Sequence, residues 1–303
     1  MSDANEPLSI SAADRRRTHR ISHEAMACTW EIHILGDDPT YAEHAARAAF
    51  DEIDRLELEL SRFVEHSDIS RINALRAGES ACIGIDAFDC LRMASELHTE
   101  TNGAFDVSIG ALLEDAADTT SPFGMSHLAL DAKSRNVTVD IDGLIIDLGG
   151  LAKGYAVDQA VEILREWSIE AALIHSGQST VYALGSPPGQ PGWTIAIRDP
   201  SDHAKTLARV CLRNRALSGS GTALHGPHII DPRTGAPAAC PLASWAVASS
   251  AAISDALSTT FSVFTADEVE AYCRKHTDVL GAHATATPDG TVLNWLETGS
   301  TAE

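Results

Sequence analysis

Hydrophobic positions recur with two different periods along this chain. Trp30, Ile32 and Ile34 alternate with polar partners, the period of a half-buried strand. Ala42, Ala45, Ala46, Ala49, Ile53, Leu56 and Leu60 then recur at steps of three and four, which predicts a long amphipathic helix. A second helix is expected behind Asp86, read as its cap, with Leu91, Ala94 and Leu97 on its apolar stripe. Residues 143–147 form a short apolar run that ends in paired glycines and reads as a strand, and Ala156, Ala160, Val161 and Leu164 mark a third helix. Short strands are expected over 171–175, 180–184, 193–198 and 207–212, separated by turn-rich segments such as 186–192. An alanine-rich, helix-compatible run follows around 251–257.

This is a helix-and-strand mixture with hairpins in its second half. Residues 1–24 are polar and charged and are expected to form a flexible N-terminal arm, leaving 25–303 as the folded unit. The pattern contains no internal repeat, low-complexity tract or long linker. The expected fold is therefore α+β, a single domain of mixed, largely antiparallel sheets with packed helices, rather than a doubly wound parallel sheet.

Composition narrows the partners. With 303 residues and 44% hydrophobic content, the chain can build a sizeable core. Acidic residues outnumber basic ones by 43 to 22, and the formal charge of −21 repels nucleic acid backbones and anionic membrane surfaces. A phosphate-ester ligand would need a bound cation to offset that field. Cys28, Cys82, Cys90, Cys211, Cys240 and Cys273 show neither a CxxC pair nor zinc-ligand spacing, so reduced, mostly buried side chains are expected. Arg15, Arg16, Arg17 and Arg20 are not followed by an apolar run of signal-peptide length, and no segment approaches 18 apolar residues. The expectation is a cytoplasmic protein without a transmembrane segment.

Candidate chemistry concentrates in two segments and one helix. In His228–Gly235 (HIIDPRTG), the Asp-Pro step excludes helix and Gly235 permits the positive φ of a tight reversal, so a base candidate, His228, and a cationic donor, Arg233, share one rigid loop. In Asp147–Asp158 (DLGGLAKGYAVD), a strand runs through Gly149 and Gly150 into a helix start, where unpaired backbone N–H groups bind phosphate, and Lys153 adds a positive charge. The spacing is neither GxGxxG nor a Walker loop. Asp255 and Thr259, four apart on a helix, would present their oxygens from one face as a half-site for Mg²⁺. Each feature also has a plain structural reading: the glycines as turn residues, Asp255 and Thr259 as a capping pair, Arg233 as a loop ion pair with Asp231, and His228 as a hydrogen-bond partner of its own turn.

Taken in order, these segments resemble the ApbE family of FAD:protein FMN transferases. The resemblance adds Met26–Thr29, Ser61–Phe63 with Ser67–Asn73, Gly103–Asp106 (GAFD) and Asp255–Thr259 (DALST) to the two segments above. It implies an ApbE-like, T-fold-related architecture and Mg²⁺-dependent transfer of FMN from FAD to a threonine or serine hydroxyl of a target flavoprotein, with AMP leaving. On that analogy Asp255, Thr259 and the Gly150 carbonyl would hold Mg²⁺. His228 would take the hydroxyl proton, and Lys153 and Arg233 would steady phosphate oxygens or the loop. Met26, Asn73, Phe105 and Asp106 would lie along FAD, together with Gly149, Gly150, Lys153 and His228. The sequence departs from the family pattern at His175–Ser179 (HSGQS), where a GGD carboxylate is missing. It departs again at Ser218–Gly221 (SGSG), which lacks an aromatic ring. Hydrolysis of FAD to FMN and AMP, and non-catalytic flavin binding, are the alternative functions. Many relatives are exported lipoproteins, whereas this chain is expected to act in the cytoplasm.

Overall fold

The computed structural model describes residues 17–114, 122–221, 229–238, 241–288 and 290–296. Strands β1 (Thr18–Ala25) and β2 (Cys28–Leu35) form a hairpin paired from Thr18↔Leu35 to Ala25↔Cys28. Its two-residue turn, Met26 and Ala27, has φ of 49° and 57°, the twist that suits tight hairpins. Helices α1 (Pro39–Leu60), α2 (Asp68–Asn73), α3 (Ile85–Glu100) and α4 (Gly110–Glu114) follow, with β3 (Ser80–Cys82) between the second and third. The chain continues through β4 (Leu128–Asp131), β5 (Asn136–Val139), α5 (Ala152–Glu166), β6 (Ala172–Ser176), β7 (Thr180–Leu184), β8 (Trp193–Arg198), β9 (Thr206–Leu212) and β10 (Arg215–Gly221). Last come β11 (Ile230–Asp231), β12 (Ala236–Pro237), β13 (Ala243–Ala248), α6 (Ala251–Val263), α7 (Ala266–Lys275), β14 (Leu280–Thr287) and β15 (Gly290–Trp295).

Eight strands make the main sheet, in the order β1-β2-β6-β7-β10-β13-β14-β15, with every pairing antiparallel. Because successive strand residues point to opposite faces, the sheet divides its side chains between two cores. Ala172, Ile174, Tyr182, Leu184, Ala216, Ala246 and Ala248 face the main core with the helices. Leu173, Val181, Ala183, Leu217 and Val247 face a second cluster closed by Trp193, Ile195 and Ile197 of the β8–β9 hairpin. Trp30 and Trp193 are fully buried, one in each core, and each indole N–H reaches a backbone carbonyl, of Ala25 and Leu184 respectively. Burying the apolar body of such a side chain contributes about 1.5–3 kcal/mol.

Small residues set the helix spacing. Ala42, Ala45, Ala46 and Ala49 of α1 and Ala156 and Ala160 of α5 are buried, which lets these two helices lie close together. No described helix is long and apolar enough to cross a membrane.

The expected α+β, largely antiparallel single domain is found, with several corrections. Residues 18–24, expected in the flexible arm, belong to a full edge strand, Thr18–Ala25: its backbone pairs with β2, and Ile21 packs on the core. Polar side chains on an edge strand conceal such pairing from hydropathy. Residues 1–16 lie outside those described. The 143–147 run is not a regular strand: it opens on a turn at Gly143, with φ of 78°, and forms a parallel bridge, Ile109↔Ile145, while the Ile146 N–H goes to Asn73 Oδ1 and the Asp147 N–H to the Val107 carbonyl. Asp86 sits inside the first turn of α3, behind Gly84 at the cap position, and binds Arg55 and the Tyr155 hydroxyl instead. Of the cysteines, Cys82 and Cys211 are exposed, Cys90 and Cys273 buried, and Cys240 lies outside the described residues.

Candidate active site

The glycine turn is built from the backbone outward. Asp147 Oδ1 accepts the Gly149 N–H at 2.6 Å, while its other oxygen pairs with Arg62 Nε at 2.6 Å. The Leu148 carbonyl then accepts the N–H groups of Leu151 and Ala152, closing the turn into α5. Leu151 occupies the cap position and has no polar side chain to satisfy the first amides of the helix. A carboxylate from another helix takes that role: Asp255 Oδ2 of α6 accepts the Gly154 N–H at 3.1 Å.

The two segments that carry the candidate metal ligands therefore meet. A methyl group built on Gly150 would lie 3.6 Å from Thr259 Oγ1 and 3.6 Å from Phe105 Cε2, so turn, helix and the buried Phe105 ring are direct neighbours. One at Gly154 would lie 2.3 Å from the Ala251 carbonyl oxygen, so α5 and α6 touch through a position only glycine fits. Burial raises the pKa of Asp255, opposed by Lys153, the Gly154 N–H and the Thr180 hydroxyl. The Lys153 ammonium thus lies close enough to this carboxylate to favour its ionised form.

A band of hydroxyls surrounds Asp255 and Thr259. Thr180 Oγ1 donates to Asp255 Oδ1 at 3.2 Å, and Ser220 Oγ bonds Ser258 Oγ at 2.8 Å and Thr259 Oγ1 at 3.2 Å. None of these three partners, Thr180, Ser220 or Ser258, was given a role from the sequence. For Thr180 the signal lay in strand parity, which gives it the face of Tyr182 and Leu184, the face turned toward the helices.

The GAFD segment lies beside the turn. Gly103 has φ of +82°, and the Phe105 N–H is held by Thr101 Oγ1 at 3.0 Å. Asp106 is buried and accepts from the Ser108 N–H, the Ser108 hydroxyl and the Met125 N–H, while His98 Nδ1 lies 3.3 Å from its second oxygen. Burial alone would raise the Asp106 pKa, but the bonds from His98 and Ser108 outweigh it and hold the pKa below the usual value. Asn73 uses both ends of its amide on Ile146, donating to its carbonyl at 3.0 Å and accepting its N–H at 2.7 Å. It is therefore a tie for the segment leading into the glycine turn. Met26, in the β1–β2 turn, donates its N–H to Glu57 Oε2 of α1.

The described part of the HIIDPRTG loop is a two-stranded ladder, Ile230↔Pro237 and Asp231↔Ala236, reversed at Gly235 with φ of +70°. Arg233 donates to Asp231 from Nε and Nη2 and to Glu268 Oε1 from Nη1 at 2.7 Å, which makes it the clamp that fastens this loop to α7. Its Cγ lies 4.0 Å from a methyl built on Gly103, so the loop abuts the GAFD turn. His228, the candidate base, lies outside the described residues. Where the family's missing GGD carboxylate would be sought, Gly177 turns with φ of +57° and Ser179 Oγ bonds the Ser176 carbonyl.

Comparison with known proteins gives one consistent result. A family model described as the ApbE family matches residues 26–283. A protein named FAD:protein FMN transferase from Buchnera aphidicola (subsp. Schizaphis graminum) is 24% identical over 269 residues, covering 79% of this chain and 78% of its own. Among solved structures, the flavin transferase ApbE from Vibrio cholerae superposes with a TM-score of 0.79 at 22% identity, covering 92% of this chain and 96% of that one. The apo form of the Pseudomonas stutzeri flavinyl transferase ApbE gives 0.80 at 23% identity, covering 92% and 94%.

Proposed function

The chain belongs to the ApbE family, and on that premise we propose that it transfers FMN from FAD to a threonine or serine hydroxyl of an acceptor flavoprotein, with release of AMP, in a reaction that depends on Mg²⁺. Curated relatives named FAD:protein FMN transferase support the transferase class and flavin as its cargo. The observation that carries the rest is the meeting of Gly150 with Thr259 and of Gly154 with Asp255.

These residues fit a hard divalent cation. Among the described residues, no group of three or more His, Cys, Asp or Glu could hold a metal. The donor set is instead one carboxylate with hydroxyl and carbonyl oxygens, the chemistry that suits Mg²⁺ with part of its shell left to phosphate and water. Asp255, Thr259 and the Gly150 carbonyl would hold it, and once bound it would neutralise charge on the pyrophosphate oxygens.

In the transfer, the acceptor oxygen forms a bond to the FMN phosphorus, the bond from that phosphorus to the AMP oxygen breaks, and AMP leaves with the electron pair. The hydroxyl proton passes to a base, for which His228 is the candidate because an imidazole titrates near neutrality. Lys153, at the start of α5, would hold a phosphate oxygen with its ammonium. Arg233 keeps the loop that carries His228 fastened to α7.

Incubating the protein with FAD and Mg²⁺, with and without a candidate acceptor, separates the functional classes. AMP release that needs the acceptor and labels it with FMN supports transfer. Release with water alone makes the protein an FAD pyrophosphatase, and flavin retention without AMP makes it a binder. Asp255→Ala should abolish release on either catalytic reading.

A further inference from the structure

Asp255 is reached from the sheet as well as from α5. Thr180 and Ser218 are directly opposed across β7 and β10, and both are buried on the helix-facing side. Their hydroxyls lie 3.0 Å apart, and Thr180 Oγ1 donates onward to Asp255 Oδ1 at 3.2 Å. A hydroxyl has one proton, so when Thr180 gives its own to Asp255 it accepts one from Ser218, which fixes the direction of the chain. The second Asp255 oxygen is held by the Gly154 N–H at 3.1 Å. The carboxylate is thus held at both oxygens, once by a helix start and once by the centre of a sheet.

We infer that Thr180 is a positioning residue for the metal-binding carboxylate, orienting Asp255 through a hydroxyl relay that begins at Ser218. This rests on the reading of Asp255 as a metal ligand. Packing alone does not account for the residue: valine would fill the same buried volume without a hydroxyl that must be satisfied, and burying an unbonded hydroxyl costs stability. Strand β10 also supplies Ser220, whose hydroxyl bonds the second proposed ligand, Thr259, at 3.2 Å. The sheet therefore contacts the side chains of both proposed ligands, as expected of groups that orient ligands from behind.

The test is Mn²⁺ binding to the whole protein, followed by electron paramagnetic resonance without FAD, for the wild type, Thr180→Val, Thr180→Ser, Ser218→Ala and Asp255→Ala. Thr180→Val should weaken Mn²⁺ binding about tenfold, the lower end for loss of such a supporting bond. Thr180→Ser should restore it, and Ser218→Ala should loosen binding by a smaller factor. Urea unfolding of the same variants separates orientation from stability: a Thr180→Val protein that is less stable yet binds Mn²⁺ as the wild type does overturns the inference. If Asp255→Ala also binds Mn²⁺ like the wild type, or the wild type binds none, the metal-ligand reading itself falls.

Discussion

Asp158 and Asp255 cap each other's helices. Asp158 of α5 accepts the Ala251 and Ala252 N–H groups at the start of α6, at 2.7 and 2.9 Å, and the Ser250 hydroxyl at 2.7 Å. Asp255 of α6 accepts the Gly154 N–H near the start of α5 at 3.1 Å. Each carboxylate sits at the positive end of the other helix's dipole, so the exchange satisfies orphan amides and fixes the relative position of the two helices. The candidate site depends on this exchange, because the glycine turn feeds α5 and Asp255 and Thr259, the proposed ligands, ride on α6.

Removing Asp158 should therefore cost stability out of proportion to its single side chain. Burial raises its pKa, against the pull of the Ala252 and Ala251 amides and the Ser250 hydroxyl, so part of the bond energy is offset by desolvation. Asp158→Ala leaves two backbone donors at the α6 start without their acceptor and should lower unfolding free energy by about 2–3 kcal/mol. Asp158→Asn keeps an acceptor oxygen and should lose less. Urea midpoints at constant m-value measure this, and a midpoint for the alanine variant equal to the wild type would refute the capping role.

Gly154 gives a prediction whose sign is informative. In an ordinary helix interior, alanine is favoured over glycine by about 1 kcal/mol. Here the added methyl would meet the Ala251 carbonyl oxygen at 2.3 Å and the Ala252 Cα at 2.8 Å, both backbone. Overpacking of that kind costs about 1–3 kcal/mol, so Gly154→Ala should be net destabilising and should reduce AMP release by pushing α6 away from the turn. Thermal unfolding decides it: a more stable variant would show that the helices part freely.

How much of this was legible in the sequence depends on whether a residue's partner is local. Helix α1 and strands β7 and β8 follow from the spacing of Ala42 to Leu60, Thr180 to Leu184 and Trp193 to Arg198, since period alone decides which side chains share a face. The motif order carried Asp255, Thr259 and the glycine turn. Strand β1 was hidden because its stabilising partner is the backbone of β2. Thr180 was hidden for a related reason: its hydroxyl binds a carboxylate 75 positions away, a separation that no local window spans. Asn73 matched a ligand-side motif, yet its amide serves Ile146.

Arg233 should matter more to its loop than to overall stability. Exposed ion pairs contribute about 0.2–1 kcal/mol, but this guanidinium joins Asp231 and Glu268 in one planar fork that lysine cannot reproduce. Arg233→Lys should leave the thermal midpoint nearly unchanged. Hydrogen exchange should quicken at the Thr234 and Gly235 amides, which donate to the Asp231 carbonyl. Exchange rates equal to those of the wild type would show that the ladder holds without the clamp.

The His98–Asp106 contact predicts a pH window. His98 Nδ1 lies 3.1 Å from the Phe105 carbonyl and 3.3 Å from Asp106 Oδ2, and the bond to Asp106 raises the imidazole pKa above its usual 6.5. A raised histidine pKa contributes stability that is complete below the unfolded value and is lost as pH climbs through the folded one. Asp106 works in the opposite sense: its pKa is held below 3.8, so its contribution is complete above that value and is lost on acidification through the folded pKa. Both contributions are complete only between about pH 4 and 6.5. The thermal midpoint of the wild type should therefore exceed that of His98→Ala most near pH 5, and the gap should narrow by pH 8.5, leaving the neutral ring's bond to the Phe105 carbonyl. A gap that stays constant from pH 5 to 8.5 would mean that charge pairing contributes nothing to the GAFD turn.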